Sequence, residues 1–166
     1  MEGIVFMSSV KWLLARKRKN SWNKDVYDTS YALAALADTG TQDRDGCNWL
    51  YEHYCPSWEQ VGTTSLLITA LKKQDNLAKS KDFETFIRER AEWILSKRAN
   101  DGGWQYISTS NLAIQALLLT GFKDELEPSI RWLLKNVHEN GSWGNQTDDV
   151  NATALTLSTL GLYNKT

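Results

Sequence analysis

Apolar residues recur along this chain at helical spacing, interrupted by short polar turns. Leu126, Ile130, Leu133, Leu134 and Val137 follow one another at steps of three and four, which places them on one helix face. Phe83, Phe86, Ile87, Ala91, Ile94 and Leu95 do the same, with Glu84, Arg88, Glu89 and Arg90 on the other faces. Val5, Met7, Val10, Trp12, Leu13 and Leu14 form a first helix without a broad polar face. These helices run into polar or Gly/Pro-containing turns at 19–21, 56–57, 100–103 and 140–142, where Gly and Asn tolerate a left-handed backbone. A second kind of run follows each turn, small and polar first, then rich in Ala and Leu: DTSYALAAL, TTSLLITAL, STSNLAIQAL and NATALTLSTL. These runs carry almost no charge and should be buried on most sides. Their opening Asp, Thr and Ser residues, Asp28 among them, read as N-caps. Gly40, Gly121 and Gly161 read as the ends of three of them.

The eight tryptophans fix the phase of this pattern. They fall into four pairs, Trp12 with Trp22, Trp49 with Trp58, Trp93 with Trp104 and Trp132 with Trp143, spaced 10, 9, 11 and 11 residues apart. The second member recurs every 36 to 46 residues, the signature of a repeat array. The chain is therefore predicted to be all-α: about four helical hairpins, eight helices, in one domain over 1–166 with units near 5–40, 41–76, 77–121 and 122–166. Thr29, Thr64, Ser110 and Thr153 occupy equivalent positions. The charged stretch 72–81 reads as the longest connection. Repetition of the tryptophans argues for structure: the first of a pair packs between hairpins, and the second clamps the turn with its indole N–H on a backbone carbonyl.

Composition narrows the function. With 19 basic and 20 acidic side chains the net charge is −1, which argues against a nucleic-acid binder. The Arg16, Lys17, Arg18, Lys19 run reads as cations at a helix C-terminus. Two cysteines, Cys47 and Cys55, are too few for a disulfide scaffold and point to a reduced compartment. With no signal-peptide core and no run long enough to cross a bilayer, the expected location is cytoplasmic. Cys47, His53 and Cys55 lie close in sequence but on an outer helix and its turn without a fourth ligand, so no metal and no cofactor is expected.

The Asn-Asp-Gly-Gly-Trp run at 100–104 and the Asn-Gly-Ser-Trp run at 140–143 resemble the end of the QW repeat of the squalene–hopene and terpenoid cyclase family. The run from Asp25 to Leu33 resembles the segments that open inner helices in these enzymes, and the run from Asp149 to Leu155 resembles their DVDDTAM segment. The resemblance implies an α/α toroid, the architecture shared with protein prenyltransferase β subunits, and four hairpins imply a small or partial one. It also implies a general acid at the centre of a DxDD motif. Tyr27 and Asn151 stand at that position here, leaving Asp25, Asp28, Asp148 and Asp149 beside it. Arg98 and Val137 replace the glutamine of the repeat, and Asp28 stands where a prenyltransferase would carry a zinc-binding His.

Two functions fit. One is a non-catalytic cyclase-like module that binds an apolar, isoprenoid-like ligand or a protein partner. The alternative is a terpenoid cyclase or prenyltransferase-type enzyme or subunit, with Asp28, Asp25 and Asp149 as the acid candidates. Tyr27, Tyr31, Trp104 and Tyr106 are the aromatics nearest the inner-helix starts and are expected to contact the ligand. An incomplete ring would leave apolar faces at both ends, so self-association or a partner chain is expected to complete it.

Overall fold

The computed structural model describes residues 2–145 and 149–166, with side chains from residue 7 onward. Among these residues the chain forms eight α-helices and no strand: α1 (Glu2–Arg16), α2 (Val26–Asp38), α3 (Arg44–Glu52), α4 (Val61–Ala78), α5 (Glu84–Ser96), α6 (Ile107–Leu119), α7 (Glu127–Lys135) and α8 (Val150–Lys165). In chain order they form four successive outer–inner pairs, α1–α2, α3–α4, α5–α6 and α7–α8.

The even-numbered helices pack in series, α2 on α4, α4 on α6 and α6 on α8. The odd-numbered helices lie outside this row. No comparable packing joins α8 back to α2, so the inner row is an open arc. Leu33, Leu36, Leu67, Ile68, Leu71, Ile114 and Leu117 form its fully buried spine, and Leu50, Ile94, Leu126 and Leu133 bring in the outer helices.

The helix starts superimpose the four units. The N-caps of the inner helices are Asp25, Gln60, Tyr106 and Asp149. Four residues into each helix stand Thr29, Thr64, Ser110 and Thr153, the set expected to be equivalent. They are not caps. Trp22 N–H donates to Thr29 Oγ1 at 3.1 Å, Trp104 N–H to Ser110 Oγ at 2.8 Å and Trp143 N–H to Thr153 Oγ1 at 2.9 Å. In the second unit the Thr64 hydroxyl instead donates to the Trp58 carbonyl at 3.2 Å. Each hydroxyl thus ties the turn to the inner helix that follows it.

The indole clamp holds in three units. Trp22 Nε1–H donates to Leu13 O at 2.8 Å, Trp104 to Ile94 O at 2.8 Å and Trp143 to Leu133 O at 2.7 Å. Trp58 departs from the pattern. Its turn is a 3-10 turn at Pro56–Trp58, and the ring packs against Trp49 and Tyr54, with centroids 5.8 and 6.4 Å away.

A residue five places after the first tryptophan latches each unit to the next outer helix. Lys17 bonds both oxygens of Asp43, the N-cap of α3, at 2.7 and 2.9 Å. Tyr54 accepts from Arg90 of α5 at 3.2 Å, and Arg98 bonds Glu125 O and Ser129 Oγ at the start of α7. Val137 holds that place in the fourth unit, outside α7 and exposed.

Two expectations are corrected. Residues 72–78 are the last turns of α4 and not a connection, because Gln74 and Asp75 among them are buried and bonded. Gln74 donates to Leu33 O and Thr41 O and accepts from Asp43 N–H. Asp75 accepts from Phe83 N–H and the Ser80 hydroxyl. Gly161 lies inside α8, whereas Gly40 and Gly121 do follow helix ends at positive φ.

Candidate functional site

The inner helices bring their N-terminal turns to one side of the arc. There Tyr27 of α2, Val61, Thr63 and Leu66 of α4, and Tyr106 and Leu112 at α6 line an open groove of about 580 Å³. Trp104 contributes its edge from a nearly buried position, held by its two turn hydrogen bonds. Tyr27 is positioned by its hydroxyl, which pairs with Thr63 Oγ1 at 2.7 Å across the α2–α4 joint. Lys97 and Gln105 supply polar rim groups, and the Lys97 ammonium lies 5.5 Å over the Trp93 ring. Gly62 faces Leu112 at the groove floor, so the first turn of α4 stays thin there. Among the described residues, none that lines the groove is Asp or Glu.

Three of the four aromatics singled out from sequence, Tyr27, Trp104 and Tyr106, therefore meet. Tyr31 does not join them. It is one helical turn further along α2 and lines a different cavity of about 490 Å³ with Trp12, Trp22, Asp28 and Ala35, at the open end of the arc. Val61, Leu66 and Leu112 belong to the groove but were hidden in apolar runs that read as core.

The acid candidates are dispersed. Asp25 is the N-cap of α2 and accepts from Asp28 N–H at 2.8 Å. Asp28 is not a cap. It is exposed on the first turn of α2 and accepts from Asn23 Nδ2 at 2.7 Å. Asp149 caps α8 by accepting from Ala152 N–H at 2.9 Å, and it packs so closely on Gly144 that a Cβ there would lie 2.4 Å from the Asp149 Cβ. It lines a small cavity of about 220 Å³ with Tyr106 and Asn151. Asp148 lies outside the described residues. Asp25 and Asp149 thus sit at opposite ends of the inner row.

Cys47, His53 and Cys55 do not converge. Cys47 is buried in α3, and burial, with Asp43 and Asp75 nearby, pushes its thiol up to about 12. His53 stacks on Trp49 with Nδ1 2.9 Å from Trp49 O, and Cys55 Sγ lies 3.0 Å from Ser57 Oγ. Among the described residues no three His, Cys, Asp or Glu side chains gather where a cation could sit. No helix among them is long and apolar enough to cross a membrane.

Comparison with known proteins gives one distant relationship to report. In an alignment 152 residues long that covers 82% of the chain, it is 27% identical to an ent-copalyl diphosphate synthase of Streptomyces sp. (strain KO-3988), a terpenoid cyclase. It spans 30% of that protein's length. No family profile and no solved structure matches the chain. The relationship is cyclase-like, in keeping with the turn and inner-helix motifs that carry the resemblance.

Proposed function

We propose that this chain is a non-catalytic, terpenoid-cyclase-like helical module, and that the groove over the N-terminal turns of α2, α4 and α6 binds an apolar, isoprenoid-like ligand. The observation that carries the reading is the lining: aromatic and aliphatic side chains from successive units face one groove, with no carboxylate among the described residues that line it. Apolar walls with a few polar groups at the rim suit a long hydrocarbon with a polar head. A protonation-initiated cyclase needs an acid aimed at the reacting double bond inside a site that excludes water. Asp25 and Asp149 cap helices instead, and Asp28, though it lines the open cavity at Tyr31, is exposed and bonded to Asn23.

The enzyme reading draws on the similarity to a synthase and on Asp149, whose small cavity adjoins the groove through Tyr106. One experiment separates the two. Geranylgeraniol is titrated into the chain while tryptophan fluorescence is followed, and geranylgeranyl diphosphate is incubated with it in parallel. The binding reading expects saturable quenching, weakened at least tenfold by Leu66→Glu and unchanged by Tyr31→Ala, with no turnover. Turnover abolished by Asp149→Asn establishes the enzyme reading. Absence of saturable binding removes the groove as a ligand site.

A further inference from the structure

Aligning the inner helices on their N-caps shows what each template position does when it has a neighbour. Leu33, Ile68 and Ile114 are equivalent and fully buried. The Leu33 side chain lies against Gly46 of α3, the outer helix of the next unit, so closely that a Cβ on Gly46 would fall 2.8 Å from it. The fourth residue of this set is Leu157 of α8, and it is 58% exposed. Val150, equivalent to the buried Val26, is 81% exposed. Towards α6, α8 buries Ala152, Thr156 and Thr159, while Leu157 and Leu162 are exposed on its other side. This is the reverse of an amphipathic helix at the edge of a soluble array, which should turn polar residues outward.

The other end of the arc is open in the complementary sense. Trp132, the first tryptophan of the fourth unit, lies on the turn of the third so tightly that a Cβ on Gly103 would fall 2.3 Å from its ring. Trp12 is the equivalent residue of the first unit. It is 60% exposed, with Arg16 stacked over it at 4.7 Å. Tyr31 and Ala35, equivalent to Leu66 and the buried Ala70, complete this rear face. The front face of α8 and the rear face of α1 and α2 are thus the two halves of one joint, which the chain makes three times within itself.

We infer that these two faces bind each other between copies: the α1–α2 hairpin of a second copy docks on the α7–α8 hairpin of the first, head to tail, as a fifth unit would. In that pairing Trp12 of one copy lies on the turn at Gly141 and Ser142 of the other, and Leu157 is covered. Val137, at the place where the other units carry a side chain that bonds the next outer helix, fits an apolar contact there. The joint is heterologous, so each copy offers one face of each kind. The inference does not depend on the groove or its ligand.

The test is the solution mass of the full chain by light scattering over a wide concentration range. The expected mass is twofold or more that of the single chain. Leu157→Lys and Trp12→Lys should each reduce it to the single-chain mass, with helical circular dichroism retained. An equimolar mixture of the two variants should return to the twofold mass, because one intact face of each kind remains. If either variant misfolds, Val150→Lys and Tyr31→Lys replace them with the same expectations. A wild-type chain that is monomeric throughout overturns the inference, whatever else covers these faces. So does a Trp12→Lys variant that keeps the wild-type mass, which would mean that α8 pairs with α8, or a mixture that stays monomeric.

Discussion

The Trp104 backbone N–H donates to Ser110 Oγ at 2.8 Å, and both groups are buried. This bond fixes where the third turn ends and how α6 leaves it. Ser110→Ala removes the acceptor and leaves a buried N–H unpaired, which costs about 1–3 kcal/mol. Urea denaturation should show that loss with no change in helix content.

The indole bonds make a comparative prediction. Trp104→Phe removes the donor to Ile94 O as well as ring volume, whereas Trp58→Phe removes no turn bond. Trp104→Phe should lower the melting temperature clearly more than Trp58→Phe. Equal shifts would mean that packing alone, and not the hydrogen bond, makes the tryptophan matter.

Asp25 and Asp28 should separate by role. Loss of a side-chain cap costs about 1 kcal/mol, so Asp25→Ala should destabilise by that amount. Asp28→Ala loses an exposed bond to Asn23 and should stay within about 0.5 kcal/mol of wild type. Thermal denaturation of the two single variants checks this.

Cys47 makes stability depend on alkaline pH. Its folded pKa, about 12, lies above the ordinary 9.0, because burial disfavours the thiolate and the neighbouring Asp43 and Asp75 add to it. The unfolded chain therefore releases this proton first. Stability is intact below pH 9 and falls as the pH rises from there towards 12. Cys47→Ala should flatten that fall. In the native protein at pH 8, a thiol reagent should modify Cys55 quickly and Cys47 only on unfolding.

The turn of the third unit has no room for a side chain. Gly103→Ala would push a methyl into the Trp132 ring and should cost about 1–3 kcal/mol as overpacking. Gly40→Ala meets no atom and bears only its positive φ, so its cost should be near 1 kcal/mol. Chemical denaturation ranks the two.

The repeat phase was legible because Thr29, Thr64, Ser110 and Thr153 all bond their preceding tryptophan's backbone, so the same letters recur at the same offset. The helices start about one turn earlier than their Asp, Thr and Ser clusters suggest. Gln60 and Tyr106 occupy cap positions without a side-chain cap, and the β-branched Val26, Val61, Ile107 and Val150 that follow do not announce a helix. The end of α4 was missed because Gln74 and Asp75 gain their meaning only from partners such as Leu33 O and Phe83 N–H. At the site, Tyr27, Trp104 and Tyr106 could be found from their nearness to helix starts. Tyr31 misses the groove because its position faces the preceding inner helix: its equivalents Leu66 and Leu112 face the groove from α4 and α6, whereas α2 is the first of the row. The acid candidates rest on resemblance alone, and their dispersal depends on the arc being open between α2 and α8.

The joint between α6 and α8 is made by polar rungs: Asn111 Nδ2 donates to Thr156 Oγ1 at 2.8 Å and Gln115 Nε2 to Thr159 Oγ1 at 2.8 Å. Water can replace such rungs at a small net cost, whereas it cannot replace the leucine and isoleucine contacts between α2 and α4. Because the inner helices pack in series and α8 meets the row at α6, opening this joint does not require the rest to open. The protein should therefore melt as a zip does, from the α8 end, with amide protons of α8 exchanging well before those of α4, and whatever covers Leu157 would serve as the slider that keeps it shut.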